Sequence, residues 1–100
     1  MRHWQNESTD QLCTALLSLK TKEEARAFLE DICTIKEFLD LSQRLEVARL
    51  LQSGASYTAI TKATGASTAT ISRVSKCCEY GSGGYRTVIE RLNQEDSNHG

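Results

Sequence analysis

The sequence predicts an all-α protein of six helices, and three observations carry that reading. No proline occurs in the chain, cap signals open one segment after another, and apolar residues recur at helical rather than alternating spacing. Without proline nothing interrupts a helix from inside, so glycine and capping side chains are the punctuation. The 100 residues, 39% hydrophobic and 25% charged, suit a single globular domain over 1–100. A domain of this size buries only about two-thirds of the surface its unfolded chain exposes, so its core is thin. Dimerisation is the natural remedy.

The elements follow in order. Ser8 with Gln11 gives a first cap signal, ahead of Leu12, Leu16 and Leu19 on one face. Thr21 and Glu24 form a second box before Ala25, Phe28, Leu29 and Ile32. Thr34 and Glu37 form a third, opening a long helix with Phe38, Leu41, Leu45, Ala48 and Leu51 on one side and Gly54 as its stop. Ser56 caps a short helix from Tyr57 to about Thr64, which Gly65 ends. Ser67 caps another that runs to about Tyr80, with Gly81 as its stop. After the break Gly81-Ser82-Gly83-Gly84, the spacing of Tyr85, Val88, Ile89 and Leu92 predicts a last amphipathic helix. The polar ends, 1–7 and 93–100, are expected to fray.

Several functional classes find no support. The N-terminal ten residues are polar and no apolar run approaches the ~20 residues that cross a bilayer, so no signal peptide, membrane span or membrane partner is expected. Cys13, Cys33, Cys77 and Cys78 do not form a disulfide framework, which points to a reducing cytoplasm. Neither a metal nor a cofactor is expected, because His3 and His99 lie in the two tails, away from the cysteines. No Ser/His/Asp or Cys/His set is available in the body, and no glycine-rich loop follows a strand, so the chain does not read as an enzyme. Cys77 and Cys78 point roughly 100° apart on a helix, one inward and one outward. The plain account of the pair is small buried hydrophobes; redox sensing is the alternative.

Charge is informative through its placement. The net charge is −1, yet none of the 13 acidic residues falls between Val47 and Cys78, a window that holds Arg49, Lys62, Arg73 and Lys76. Within it, Tyr57 to Lys76 has the spacing of a helix-turn-helix. Tyr57, Ile60 and Thr64 face inward, Gly65 sits in the turn, Ala66 points to the core, and Ile71 and Val74 hold the second helix down. Thr61 departs from the pattern, which prefers a small apolar residue there. The outward face of the second helix, Ser67, Thr68, Ala69, Ser72, Arg73 and Lys76, combines small side chains that admit a helix to the major groove with cations for phosphates. Lys62 is a further candidate contact. Double-stranded DNA is the partner this pattern implies. A helical protein-interaction module that uses the same hairpin as a scaffold is the alternative.

The stretch LSQRLEVARLLQSGASYTAITKATGASTATISRV resembles the Trp repressor family, especially the branch typified by the bacterial YerC/YecD proteins. The anchors QRLEVARLL and TGASTATISR carry the resemblance, which runs from about Thr34 to Leu92 and, more loosely, through the two N-terminal helices. It implies a six-helix subunit intertwined with a second copy, the two 57–76 units facing successive major grooves about 34 Å apart. It also implies a transcriptional regulator, with water-mediated base reading of the kind known for Trp repressor itself.

The same resemblance implies an effector pocket lined by Arg44, Thr70, Arg73, Val74 and Cys77, with Thr34 heading the long helix as in the family. Arg44 and Arg73 match the two arginines that flank the indole of tryptophan in Trp repressor. Val74, however, stands where that protein has a glycine, Cys77 replaces a serine, and the turn is one residue shorter. Val74 would fill the indole's space, so tryptophan is not expected as the effector, and a different small molecule stays open. For Arg44 an ion pair with Asp40 at i−4 is an equal alternative.

Overall fold

The computed structural model describes residues 4–99, with side chains through residue 95. Among the described residues there are six helices and no strand: α1 (Glu7–Ser18), α2 (Lys22–Ile32), α3 (Ile35–Gln52), α4 (Tyr57–Thr64), α5 (Thr68–Tyr80) and α6 (Gly84–His99). The all-α expectation holds.

Local capping explains most of the boundaries. At Thr34 the box is complete: the hydroxyl accepts the Glu37 amide at 3.1 Å, and the Glu37 carboxylate accepts the Thr34 amide at 2.8 Å. At Thr21 the hydroxyl accepts the Glu24 amide at 3.0 Å, but the Glu24 carboxylate takes the amide of Lys20, one residue upstream. The first helix corrects the sequence reading. Its cap is Asn6, whose side chain accepts the Thr9 amide at 3.0 Å while Thr9 Oγ1 accepts the Asn6 amide at 3.0 Å. Ser8 and Gln11 therefore lie inside α1 rather than at its edge.

The end of α3 is closed by two amides bonding backward, Gly54 to the Leu51 carbonyl at 3.1 Å and Ala55 to the Leu50 carbonyl at 3.0 Å. At the other end of the chain the backbone of α6 is helical through His99. The i→i−4 ladder continues past the apolar stripe because no glycine or proline intervenes before Gly100. Residues 1–3 of the expected N-terminal tail, His3 among them, lie outside the described residues, as do Gly100 and the His99 side chain.

The chain divides into two compact units, Met1–Phe38 and Leu39–Gly100. In the first, neither α1 nor α2 buries a residue, and Leu12, Leu16, Leu17, Ile32 and Ile35 are exposed, Leu17 by 86% and Ile35 by 82%. The second unit holds the core: Val47 and Ala48 from α3, Ile60 from α4, Ala66 from the turn, Ile71 and Val74 from α5, and Ile89 from α6. Leu45, Leu50, Leu51, Ala55, Cys78 and Tyr85 pack around it. Of the adjacent cysteines, Cys77 is exposed and Cys78 packs on the core.

Gly81 ends α5 for a steric reason. Its φ of −82° suits any residue, but a Cβ there would collide with the backbone carbonyl of Cys77, which accepts the Gly81 amide at 2.9 Å. A Cβ on Gly84 would meet nothing within 4 Å. Gly81→Ala should therefore lower the unfolding free energy by about 1–2 kcal/mol, whereas Gly84→Ala should leave it level or slightly raised. Urea denaturation of both variants checks the contrast.

Candidate nucleic-acid interface

A helix that presents a polar face to a ligand must first be fastened by its other face. Ile71 is fully buried and Val74 is 3% exposed, one turn apart on α5, and both sit in the core with Ile60 and Ala66. Burying side chains of this kind contributes about 1.5–3 kcal/mol each, enough to hold a thirteen-residue helix with no acidic residue in its first turn.

The turn that leads into α5 is built from hydroxyls and one glycine. Ser56 caps α4 by accepting the Ala59 amide at 3.1 Å. Gly65 then adopts φ 75° and ψ 4°, the left-handed conformation that costs an L-residue with a Cβ roughly 1–2 kcal/mol. The Thr64 hydroxyl donates to the Ile60 carbonyl at 2.8 Å and accepts the Ala66 amide at 3.1 Å, bracing the turn from both sides. Ser67 caps α5, accepting the Thr70 amide at 3.1 Å and donating to Thr70 Oγ1 at 3.1 Å.

On this frame Ser67, Thr68, Ala69, Ser72, Arg73 and Lys76 are all exposed along α5, and Lys62 is exposed on α4. Thr61, the departure from the motif, is exposed too, so its hydroxyl carries no burial cost. Tyr57 is the exception among the inward anchors. It is 39% exposed, because at the first position of α4 its Cα–Cβ bond tilts past the end of the helix. Ile60 and Thr64 do face in as expected.

The pocket residues fall out differently. Val74 is in the core, Thr70 is half-buried beside its cap, and Arg44, Arg73 and Cys77 are exposed. Arg44 and Cys77 both act on the Tyr85 phenol. Burial pushes that phenol above its ordinary 10.0, Cys77 adds to the rise, and the Arg44 guanidinium opposes it. Burial likewise raises the Cys78 thiol above 9.0, with Cys77 adding and Arg86 opposing. Arg86 Nη2 also reaches the Cys78 carbonyl at 3.5 Å. Separate from these residues, a groove of about 330 Å³ runs between α3 and α6, lined by Glu46, Arg49, Leu50, Gln52, Ser53, Ile89 and Asn93. Among the described residues no group of three or more His, Cys, Asp or Glu could hold a metal ion, and no helix is long and apolar enough to cross a membrane.

One polar residue of the site carries no signal in the sequence. Gln43, on α3, donates from Nε2 to the Thr64 carbonyl at 3.1 Å across 21 residues of chain.

Residues 7–93 of this six-helix frame match the family described as Trp repressor protein. The chain belongs to the Trp repressor family. It is 49% identical over 88 residues to the uncharacterised protein YerC of Bacillus subtilis strain 168, covering 88% of this chain and 85% of that protein. A solved TrpR-like protein from Eubacterium eligens ATCC 27750 is 52% identical with a TM-score of 0.85, over 89% of this chain and 92% of the other. A solved Staphylococcus aureus structure is 40% identical with the same TM-score of 0.85, over 89% of each chain. The resemblance read from the sequence, to this family and to its YerC-like members, is confirmed.

The raised Tyr85 and Cys78 values have a consequence for stability. The unfolded chain ionises first, near 9.0 and 10.0, so the folded state binds more protons above those values. The stabilisation is fully present below pH 9.0 and is lost as pH rises through the higher folded values. The melting temperature should fall from about pH 9 upward, and less steeply in Tyr85→Phe, as thermal melts from pH 7 to 11 would record.

Proposed function

We propose that the protein is a sequence-specific DNA-binding regulator of transcription in the bacterial cytoplasm, acting as an intertwined homodimer and without tryptophan. The observation that carries this reading is the division of α5: Ile71 and Val74 buried, and Ser67, Thr68, Ala69, Ser72, Arg73 and Lys76 exposed within a stretch free of acidic residues. Family membership supports the same reading, and the match over residues 7–93 supports treating 1–100 as one functional domain.

In this reading Arg73, Lys76 and Lys62 meet phosphates, which supplies affinity that falls steeply with salt. Ser67, Thr68, Ala69 and Ser72 are short, so α5 enters the major groove closely, and hydroxyls and ordered water meet the base edges. With few long arms for direct contact, DNA shape carries part of the discrimination. The exposed Leu12, Leu16, Leu17, Ile32, Ile35 and Leu39 support the dimer, because a second copy would remove their apolar surface from water. The isopropyl group of Val74, already packed in the core, supports independence from tryptophan: the space that an indole would need is taken by the protein's own side chain.

Two measurements test the proposal. In mobility-shift titrations on DNA enriched from a random pool, Arg73→Ala should weaken binding and flatten the slope of log K against log salt by about 0.9 for each phosphate the variant no longer neutralises. Unchanged affinity and slope would remove Arg73 from the interface, and failure of the wild-type protein to enrich any DNA would favour a protein-interaction module. In calorimetry, millimolar tryptophan should leave operator affinity unchanged within about twofold; a tenfold gain, about 1.4 kcal/mol, would contradict the role given to Val74.

A further inference from the structure

The last carbonyls of a helix have no partners within it, and α4, at eight residues, has only two turns to spare. Two of those carbonyls in α4, at Thr61 and Thr64, nevertheless have partners, and the Ile60 carbonyl just before them takes a side-chain donor as well. The Thr61 carbonyl takes the Gly65 amide at 2.8 Å, the Ile60 carbonyl takes the Thr64 hydroxyl at 2.8 Å, and the Thr64 carbonyl takes Gln43 Nε2 at 3.1 Å. The first two bonds are local and would form in any copy of this turn. The third ties the turn to α3, the helix whose Val47 and Ala48 lie in the core.

Gln43 and Thr64 are both half-buried, so water competes poorly for either group. The apolar contacts of Ile71 and Val74 attach α5 firmly but without direction, since burial does not depend on angle. An amide hydrogen bond does depend on angle and length. The Gln43 bond therefore fixes where the Thr64–Gly65–Ala66 corner stands on α3, and the next residue, Ser67, caps α5.

We propose that Gln43 is a positioning residue for base discrimination: through the Thr64 carbonyl it sets the angle at which α5 offers Ser67, Thr68 and Ser72 to the groove. The proposal rests on the DNA-binding reading above and names the residue that governs its specificity. Contacts to base edges are strict in geometry, whereas phosphate contacts tolerate a small displacement. Losing the Gln43 bond should lower specific affinity while sparing non-specific affinity.

The test uses the full-length protein and Gln43→Met, which keeps the length of the side chain and removes the donor. Gln43→Asn, whose amide is one methylene too short, serves as the second variant should the first fail to fold. Two quantities are read: the ratio of affinities for an enriched duplex and an unrelated one, and hydrogen exchange at the Ala66 amide against the Ile60 amide. The expected result is a roughly five- to tenfold fall in the ratio, with non-specific affinity unchanged and faster exchange at Ala66 alone. An unchanged ratio, or a fall in both affinities together with a general rise in exchange, overturns the role of Gln43. Wild-type protein that shows no preference among duplexes overturns the DNA-binding reading and the proposal with it, and unaltered Ala66 exchange overturns the role of Gln43 alone.

Discussion

The proposed function depends on α5 being held by one face only. Ile71 and Val74 reach into a core of seven buried residues, and each of the four elements around that core contributes: Val47 and Ala48 from α3, Ile60 from α4, Ala66 from the turn, Ile89 from α6. So small a core leaves little redundancy. Emptying one of its larger positions creates a cavity beside α5, and losses of this type run to about 2–5 kcal/mol against a typical total stability of about 5–15. The polar braces gain importance for that reason. The Thr64 hydroxyl, the Ser67 cap and the Gln43 amide each fix a direction that the apolar contacts leave free.

The N-terminal unit has the opposite character. Its helices are well capped at Asn6 and Thr21, yet neither contains a fully buried residue. Caps and propensity alone seldom sustain helices of eleven or twelve residues in water, so the exposed leucines and isoleucines demand a cover. The proposed second copy would supply it, and with it the symmetry that two reading helices need. In that picture one half of the chain makes the dimer and the other half presents the reading surface.

Legibility from sequence follows the range of each interaction. The caps at Thr21, Thr34, Ser56 and Ser67 and the stops at Gly54, Gly65 and Gly81 act within four residues, and their spacing announces them. Asn6 escapes because its partner is Thr9 rather than the Glu or Gln that a capping box usually shows. The exposed face of α5 is readable because Ile71 and Val74 fix its phase, and Ala66 and Ile60 fall where the motif puts them. Tyr57 reads as inward on periodicity alone, which takes no account of how a first-turn side chain tilts. The helical backbone beyond Asn93 has no apolar stripe to announce it. Gln43 has no signal, since its bond spans 21 residues and a glutamine on a helix is ordinarily a solvated one.

The most direct measurement of the central claim is the map of backbone amide shifts when an enriched duplex is added to the full-length protein. The account predicts that the largest changes fall at Ser67, Thr68, Ser72, Arg73 and Lys76, with a weaker group near Lys62, while the amides of α1 and α2 stay put. Saturable binding that leaves α5 unmoved and shifts the exposed leucines of α1 instead would contradict it.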